Sequence, residues 1–258
     1  MAVLTDRLDV DPNTVLGKVA AILSAFGPED RALPLAELAR RTGLQKTTVH
    51  RLLGDLTRLR WVERSEGTYR LGAGLFELGL RASVERGILE VAIPFLQDLY
   101  ERTHEIVHLA VREGIEVVYV EKIGGHRQAL SPSRIGGRMP LHCTAVGKAI
   151  LAFSPADVLA ERVKAGLPRI TPRTITAPGL LRKALDRVVE TGVAYEYEES
   201  AVGLNCVAAP VLDAEDRPIA AVSVTGPTTR FRPEEHANSV RAAAAGIAAT
   251  LARRAAMS

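Results

Sequence analysis

Six of the seven residues from 45 to 51 carry polar or cationic side chains: Gln45, Lys46, Thr47, Thr48, His50 and Arg51. Amides, hydroxyls, an imidazole and two cations at such density are what hydrogen-bonding to base edges and neutralising phosphate require. A second group lies far along the chain. In 218–226, Ser223 and Thr225 alternate with Val222 and Val224, and in 203–211 Cys206 alternates with Val207. Hydroxyls confined to one face of an apolar strand need hydrogen-bond partners and suit a small polar ligand. Small residues filling a tight sheet–helix contact would give the same pattern.

The first group needs a helix beneath it. Val49, Leu52, Leu53 and Leu56 stand at i, i+3, i+4 and i+7, one buried face, which turns Thr47, His50, Arg51 and Arg58 outward. Before it, Leu35, Leu38 and Ala39 form a shorter stripe, and Gly43 in Thr42-Gly43-Leu44 supplies the positive φ that ends a helix abruptly. The spacing predicts a helix-turn-helix over 35–58, with Ala39 at the steep crossing. Residues 60–71 then place two β-prone runs around Ser65-Glu66-Gly67, a hairpin signal and hence a wing. Arg64, Thr68 and Arg70 fall near its tip or outer strand, while Trp61, Val62, Tyr69 and Leu71 are expected to pack inward. A helix over 14–26, with Val15, Val19, Ile22, Leu23 and Phe26 apolar, completes a three-helix module, and 1–12 is expected to be loose. An ordinary helical hairpin would show the same stripes; the basic outer face and the wing favour double-stranded DNA.

Charge distribution agrees. The 258 residues carry a net charge of only +3, but residues 35–72 hold eight Lys or Arg against four acids, so the remainder nearly cancels. One module touching phosphate produces that asymmetry, and its binding should weaken steeply with salt. With 47% hydrophobic and 24% charged residues the chain reads as globular and long enough for two domains. Cys143 and Cys206 stand far apart without metal-ligand spacing, so neither a disulfide framework, a metal site nor a cofactor is expected. No signal sequence and no membrane-length apolar run appears, and a cytoplasmic protein with no membrane partner is expected.

Beyond the wing, Leu75, Leu78, Gly79 and Ala82 give an amphipathic helix ending near Arg86-Gly87, a spacer or dimer contact, and Ile88 to Leu99 give another. Strands are expected at 105–112 and 117–123, a Gly- and Pro-bearing loop at 124–140, helices at 144–153, 155–165 and 178–191, strands at 193–197, 203–211 and 218–226, and a closing helix at 233–254. The class is α+β, divided as 1–72 (winged helix-turn-helix), 73–87 (linker) and 88–258 (effector-binding). Strand parity puts Ile219, Ala221, Ser223 and Thr225 on one face and Ala220, Val222, Val224 and Gly226 on the other; Leu204, Cys206, Ala208 and Pro210 likewise share a face.

These segments together resemble the IclR family of bacterial transcriptional regulators. The likeness is carried by the helix-turn-helix and wing, by Met139-Pro140-Leu141-His142-Cys143-Thr144-Ala145-Val146-Gly147-Lys148-Ala149, by Gly203-Leu204-Asn205-Cys206-Val207-Ala208-Ala209-Pro210-Val211, and by Ala221-Val222-Ser223-Val224-Thr225-Gly226-Pro227. The resemblance implies a winged helix-turn-helix, a dimerising linker helix and a C-terminal α/β GAF-like effector-binding domain. It further implies a homodimer or homotetramer on a DNA operator, a repressor or activator answering to a small carboxylate or aromatic acid. The residues it implicates at the effector are Met139, Ala145, Val146, Glu196, Leu204, Cys206, Ser223 and Thr225. Backbone amides at the start of the 144–153 helix would receive the carboxylate, in keeping with the affinity of helix N-termini for anions. The family often has aspartate where Glu196 stands and serine where Thr225 stands, so the acid here is longer and the pocket tighter.

Two other readings compete. An enzyme would use the His142-Cys143 pair, Cys206 or paired Glu196 and Glu198. Neighbours on an extended segment face opposite ways, however, and no nucleophile elbow or phosphate loop accompanies them. Glu196 and Glu198 would share a strand face, where solvated edge charges explain them. A redox-sensing regulator would use Cys206, but no Lys or Arg cluster adjoins it to lower its pKa.

Overall fold

The computed structural model describes residues 10–79, 81, 86–124 and 131–257. The chain divides into two compact units, Met1–Ser83 and Val84–Ser258. In the first, α1 (Val15–Ser24) starts where the Thr14 hydroxyl accepts a hydrogen bond from the Gly17 amide. Its first buried apolar side chain is Ile22; Val15, expected in the stripe, opens the helix and is exposed. Helices α2 (Leu35–Thr42) and α3 (Lys46–Arg58) meet at Gly43, whose φ of 68° turns the chain in one residue. Leu38 from α2 and Val49, Leu52, Leu53 and Leu56 from α3 are fully buried together with Ile22. The counted stripe is the core.

Strands β2 (Val62–Ser65) and β3 (Thr68–Leu71) form the wing, joined by Glu66 and Gly67, both at positive φ as a tight hairpin requires. A two-residue strand, β1 (Leu33–Pro34), pairs with β3 and makes the sheet three-stranded. Nothing in a Leu-Pro pair announces that strand. Val62 and Tyr69 are buried and Trp61 packs partly buried against them, but Leu71 stands 47% exposed at the end of β3. The following helix α4 (Ala73–Gly79) is shorter than expected, and Leu78, assigned to its buried stripe, is exposed. Ala82 and the rest of 82–85, with Leu80, lie outside the described residues; α5 (Arg86–Thr103) begins where the linker was expected to end.

The second unit is built on a six-stranded antiparallel sheet. Its members are β4 (Ile106–Glu113), β5 (Glu116–Ile123), β6 (Arg138–Pro140), β7 (Ala194–Tyr197), β8 (Leu204–Leu212) and β9 (Pro218–Pro227), in the order β6-β5-β4-β9-β8-β7. Strand β6 comes from the end of the stretch expected as loop, where Met139 pairs with Val117; residues 125–130 of that stretch lie outside the description. One face, with Val207, Ala209, Val222 and Val224, packs on α5 and on α9 (Pro233–Ala255). The other, with Cys206, Ala208 and Ala221, packs under α6 (Ala145–Ala152), α7 (Ala156–Lys164) and α8 (Pro178–Thr191). Alternation along β8 and β9 sorts residues between the two cores as strand parity requires.

Helix α6 is held close to the turn that feeds it. Leu141–Cys143 form a single 3-10 turn, and Thr144 caps α6 by accepting from the Gly147 amide at 3.1 Å. The turn also corrects the extended geometry expected for His142 and Cys143: both are buried, with the His142 Nε2 beside the Pro168 carbonyl at 3.1 Å. A Cβ on Gly147 would lie 2.3 Å from the Leu141 oxygen and 2.5 Å from the Thr144 hydroxyl, with backbone on one side. Gly147→Ala should therefore destabilise the chain by about 1–3 kcal/mol. Denaturant unfolding followed by circular dichroism measures it, and an unchanged midpoint would show that α6 has room to shift.

Candidate functional site

The helix start and wing assemble one exposed polar surface. Gln45, Lys46, Thr47, His50 and Arg51 are exposed and Thr48 half-buried, because the apolar stripe of α3 claims the opposite side. Gln45 gives no side-chain cap, so the first turn of α3 keeps backbone amides directed beyond the helix end. The cations are not all idle. Asp55 lies between Arg51, at 3.7 Å, and Arg58, to which it is ion-paired more closely. On the wing, Glu63 accepts two hydrogen bonds from Arg70, at 2.8 and 2.5 Å, while the Arg64 guanidinium lies 5.7 Å from the centre of the Tyr69 ring. Arg58 stands at the far end of α3, about 18 Å of helix from Lys46 by the usual rise per residue.

In the second unit all eight residues implicated by resemblance line one cavity. Met139 comes from β6, Ala145 and Val146 from the start of α6, Glu196 from β7, Leu204 and Cys206 from β8, and Ser223 and Thr225 from β9. The register explains the convergence: Cys206 faces Thr225 and Ala208 faces Ser223, on the side of the sheet that α6 covers. Within it, the Thr225 hydroxyl donates to the Cys206 sulfur at 3.0 Å. The enclosed space is about 20 Å³, room for one water.

Sequence reasoning missed the residues that close this space. His108 on β4 pairs in register with Ser223 and is buried. Its Nδ1 lies 3.3 Å from the Ser223 hydroxyl and its Nε2 2.7 Å from the Ser133 hydroxyl. Ser133 is further fixed by Lys122, whose Nζ donates to the Ser133 carbonyl at 2.7 Å, and by the Ser131 hydroxyl at 2.7 Å. Burial pushes His108 down to about 3, so the ring is neutral and exchanges hydrogen bonds with hydroxyls rather than holding a charge. The signal for His108 was strand parity on β4. It becomes informative only once β4 is known to lie beside β9.

Glu196 and Glu198 do not form a pair of carboxylates. Glu198 takes a φ of 57°, which breaks the alternation, and its carboxylate accepts from the Gly203 amide and pairs with Arg173 at 3.1 Å. Glu196 is buried and accepts from both the amide and the hydroxyl of Ser200, at 2.8 and 2.6 Å. Desolvation raises its pKa to about 7 against those hydrogen bonds and the nearby Lys148 charge. Beneath it, Lys148 and Glu199 form a buried ion pair that no sequence motif disclosed.

The thiols are poor nucleophiles. Burial pushes both Cys143 and Cys206 up to about 12, the Glu196 charge adding to each, so neither is a thiolate near neutral pH and the redox reading gains no support. Among the described residues no group of three His, Cys, Asp or Glu is placed to hold a metal ion, and no helix is long and apolar enough to cross a membrane.

Two family models match the chain: "IclR helix-turn-helix domain" over residues 15–66 and "Bacterial transcriptional regulator IclR C-terminal" over 81–251. Among curated proteins, the chain is 36% identical to the HTH-type transcriptional regulator KdgR of Escherichia coli over 253 residues, 95% of each chain. It is 33% identical to the HTH-type transcriptional repressor AllR of Klebsiella pneumoniae, over 83% of this chain and 80% of that one. Among solved structures it is similar to an IclR homolog from Microbacterium hydrocarbonoxydans complexed with 4-hydroxybenzoate, with a TM-score of 0.86 and 30% identity over 93% of this chain and 100% of that one. The Thermotoga maritima IclR structure superposes with a TM-score of 0.77 at 30% identity, covering 92% of this chain and 98% of that one.

The raised Glu196 carboxyl carries a pH signature. A carboxyl whose folded pKa lies near 7 and whose unfolded value is 4.5 costs stability progressively as pH rises through that window. His108, with its lowered pKa, works in the opposite sense below about 6.5, so the wild-type profile alone does not isolate Glu196. The difference between Glu196→Gln and wild type does. It should grow in favour of the glutamine from pH 4.5 to 7 and reach on the order of 3 kcal/mol above that. A pH-independent difference in urea titrations would show that the carboxyl is solvated.

Proposed function

This chain belongs to the IclR family of bacterial transcriptional regulators, DNA-binding proteins with a carboxy-terminal ligand-binding domain, and we propose that its operator binding is set by a small carboxylate or aromatic acid held in the α6 cavity. Its relatives are regulators rather than enzymes. The observation that carries the effector reading is the convergence of Glu196, Cys206, Ser223 and Thr225 on the start of α6, where Ala145 and Val146 present the first-turn amides. Amides at a helix start and the helix dipole both favour an anion. The neighbour complexed with 4-hydroxybenzoate supports an aromatic acid as the class. Such an acid exceeds the present space many times over, so the lining would have to open, and Ser133, held by His108 and Lys122, is the part proposed to move.

On DNA, α3 would enter the major groove with Gln45, Lys46, Thr47, Thr48, His50 and Arg51 toward bases and phosphates, and Arg58, Arg64 and Arg70 would serve flanking phosphates. The protein would act in the cytoplasm as a homodimer or homotetramer, the repertoire that its family resemblance implies. The effector can alter DNA affinity only by its differential affinity for the DNA-competent and DNA-incompetent arrangements.

Two experiments check this. In thermal-shift screening against small carboxylates and aromatic acids, a stabilising acid should lose most of its effect in Ser223→Ala; an undiminished shift would place it elsewhere. On an operator selected from random duplex, Arg51→Ala should lose about 1–3 kcal/mol more on operator than on scrambled duplex, the discrimination of a paired arginine–guanine contact. Lys46→Ala should weaken both alike. Equal losses on the two duplexes for Arg51→Ala would remove it from base reading.

A further inference from the structure

A second concavity lies in the same unit, outside the α6 cavity. It is a groove of about 890 Å³ between α8 and the free edge of the sheet at β7, within the size range of small-molecule sites. Leu180, Ala184 and Val188, one face of α8, form one wall, and Tyr195 and Tyr197, stacked at 6.2 Å and 20°, form the other. Its floor is the buried Lys148–Glu199 pair. Glu199 is only 6% exposed, and while one of its oxygens takes the Lys148 ammonium, Oε2 has no hydrogen-bond partner among the described residues. A buried carboxylate oxygen left without a donor is costly, and a ligand hydroxyl is the group that would satisfy it. At the rim Lys183 and Arg187 are exposed and make no ion pair among the described residues, although Glu190 lines the same groove.

We propose that this groove is a second ligand site, one that takes an aromatic ring bearing a hydroxyl at one end and a carboxylate at the other. The hydroxyl donates to Glu199 Oε2, the ring lies between the α8 face and Tyr195, and the carboxylate meets Lys183 and Arg187. The site is separate from the α6 cavity, with which it shares no lining residue. The groove has room for the ring as it stands, while Glu199 Oε2 lies just beneath its surface, so the hydroxyl meets it as the carboxyl turns outward.

Calorimetric and NMR titration of the full chain with 4-hydroxyphenylacetate tests the assignment, with phenylacetate lacking the hydroxyl and tyrosol lacking the carboxylate as matched probes. Binding of 4-hydroxyphenylacetate should perturb the Tyr195 and Tyr197 ring signals and exceed that of either partial probe by about tenfold, the worth of one charge-assisted hydrogen bond or ion contact. Lys183→Glu combined with Arg187→Glu, both on the solvent side of α8, should remove the advantage of the carboxylate and leave tyrosol unchanged. Glu199→Gln should remove the advantage of the hydroxyl. Because Glu199→Gln also disturbs Lys148, the charge-reversed pair serves as the variant whose folding is not at stake. Three results overturn the proposal: no binding of 4-hydroxyphenylacetate at about 10 mM, well beyond the range expected of a specific small ligand; binding lost in Ser223→Ala but kept in the charge-reversed pair, which puts the probe in the α6 cavity; or a change of oligomeric state in that pair by light scattering, which makes the groove a contact between copies. The first leaves the α6 reading standing, and the second supports it.

Discussion

The buried ion pair between Lys148 and Glu199 fixes the geometry on which the carboxy-terminal unit depends. Lys148 stands one turn into α6, and Glu199 lies in the bend that joins β7 to β8. Thr171 and Thr174 hold that bend from beneath by donating to the Glu198 and Glu199 carbonyls, at 2.6 and 2.7 Å. The same bend supplies Ser200 to the Glu196 carboxylate. One pair thus sets both the position of the α6 amides and the orientation of the acid opposite them. Two charges taken out of water gain little net stability, but removing one partner typically costs about 3–5 kcal/mol, so the arrangement is defined by what its loss would expose.

That constraint accounts for what the amino-acid sequence could and could not disclose. Local periodicity located most elements: α8 matches its expected bounds, and β4, β5, β7, β8, β9, α6, α7 and α9 fall within one residue of theirs, whereas α5 runs four residues past Leu99 and β6 lies in a stretch expected as loop. Parity on β9 separated Ser223 and Thr225 from Val222 and Val224 correctly, since a strand buried on both faces still alternates between two environments. Leu204, Cys206, Ser223 and Thr225 were reachable by parity, which acts over a few residues, whereas Met139, Ala145, Val146 and Glu196 came only with the family resemblance. His108, Ser133 and the Lys148–Glu199 pair were not, because each becomes meaningful only through a partner at least 25 residues away. The β1 strand and the buried turn at His142 escaped for a related reason: both are created by a neighbour rather than by their own composition.

The first unit shows the same division between local and distant causes. Its apolar stripes predicted the core, and the exposed set at the start of α3 followed by subtraction. What the stripes did not reveal is how much of the positive charge is already answered. Asp55 serves Arg51 and Arg58, Glu63 serves Arg70, and Glu37 bridges Arg40 and Arg41 at 2.7 Å each. Glu37 is held at about 2 by those two guanidinium groups. Counting cations in 35–72 therefore overstates the field that phosphate would meet.

Acids beside the cations proposed to read DNA would have a consequence for discrimination. Non-specific attraction to a duplex scales with the phosphates neutralised, whereas base reading depends on where a guanidinium points. An exposed ion pair is worth little in water and is readily exchanged, so Asp55 subtracts modestly from general affinity while limiting the orientations open to Arg51. Gln45, Lys46, Thr47 and His50 make no such pairs among the described residues and remain available to either task. On the proposed reading, a helix start without ion pairs among the described residues would set affinity, and an arginine one turn further on, beside Asp55, would read bases.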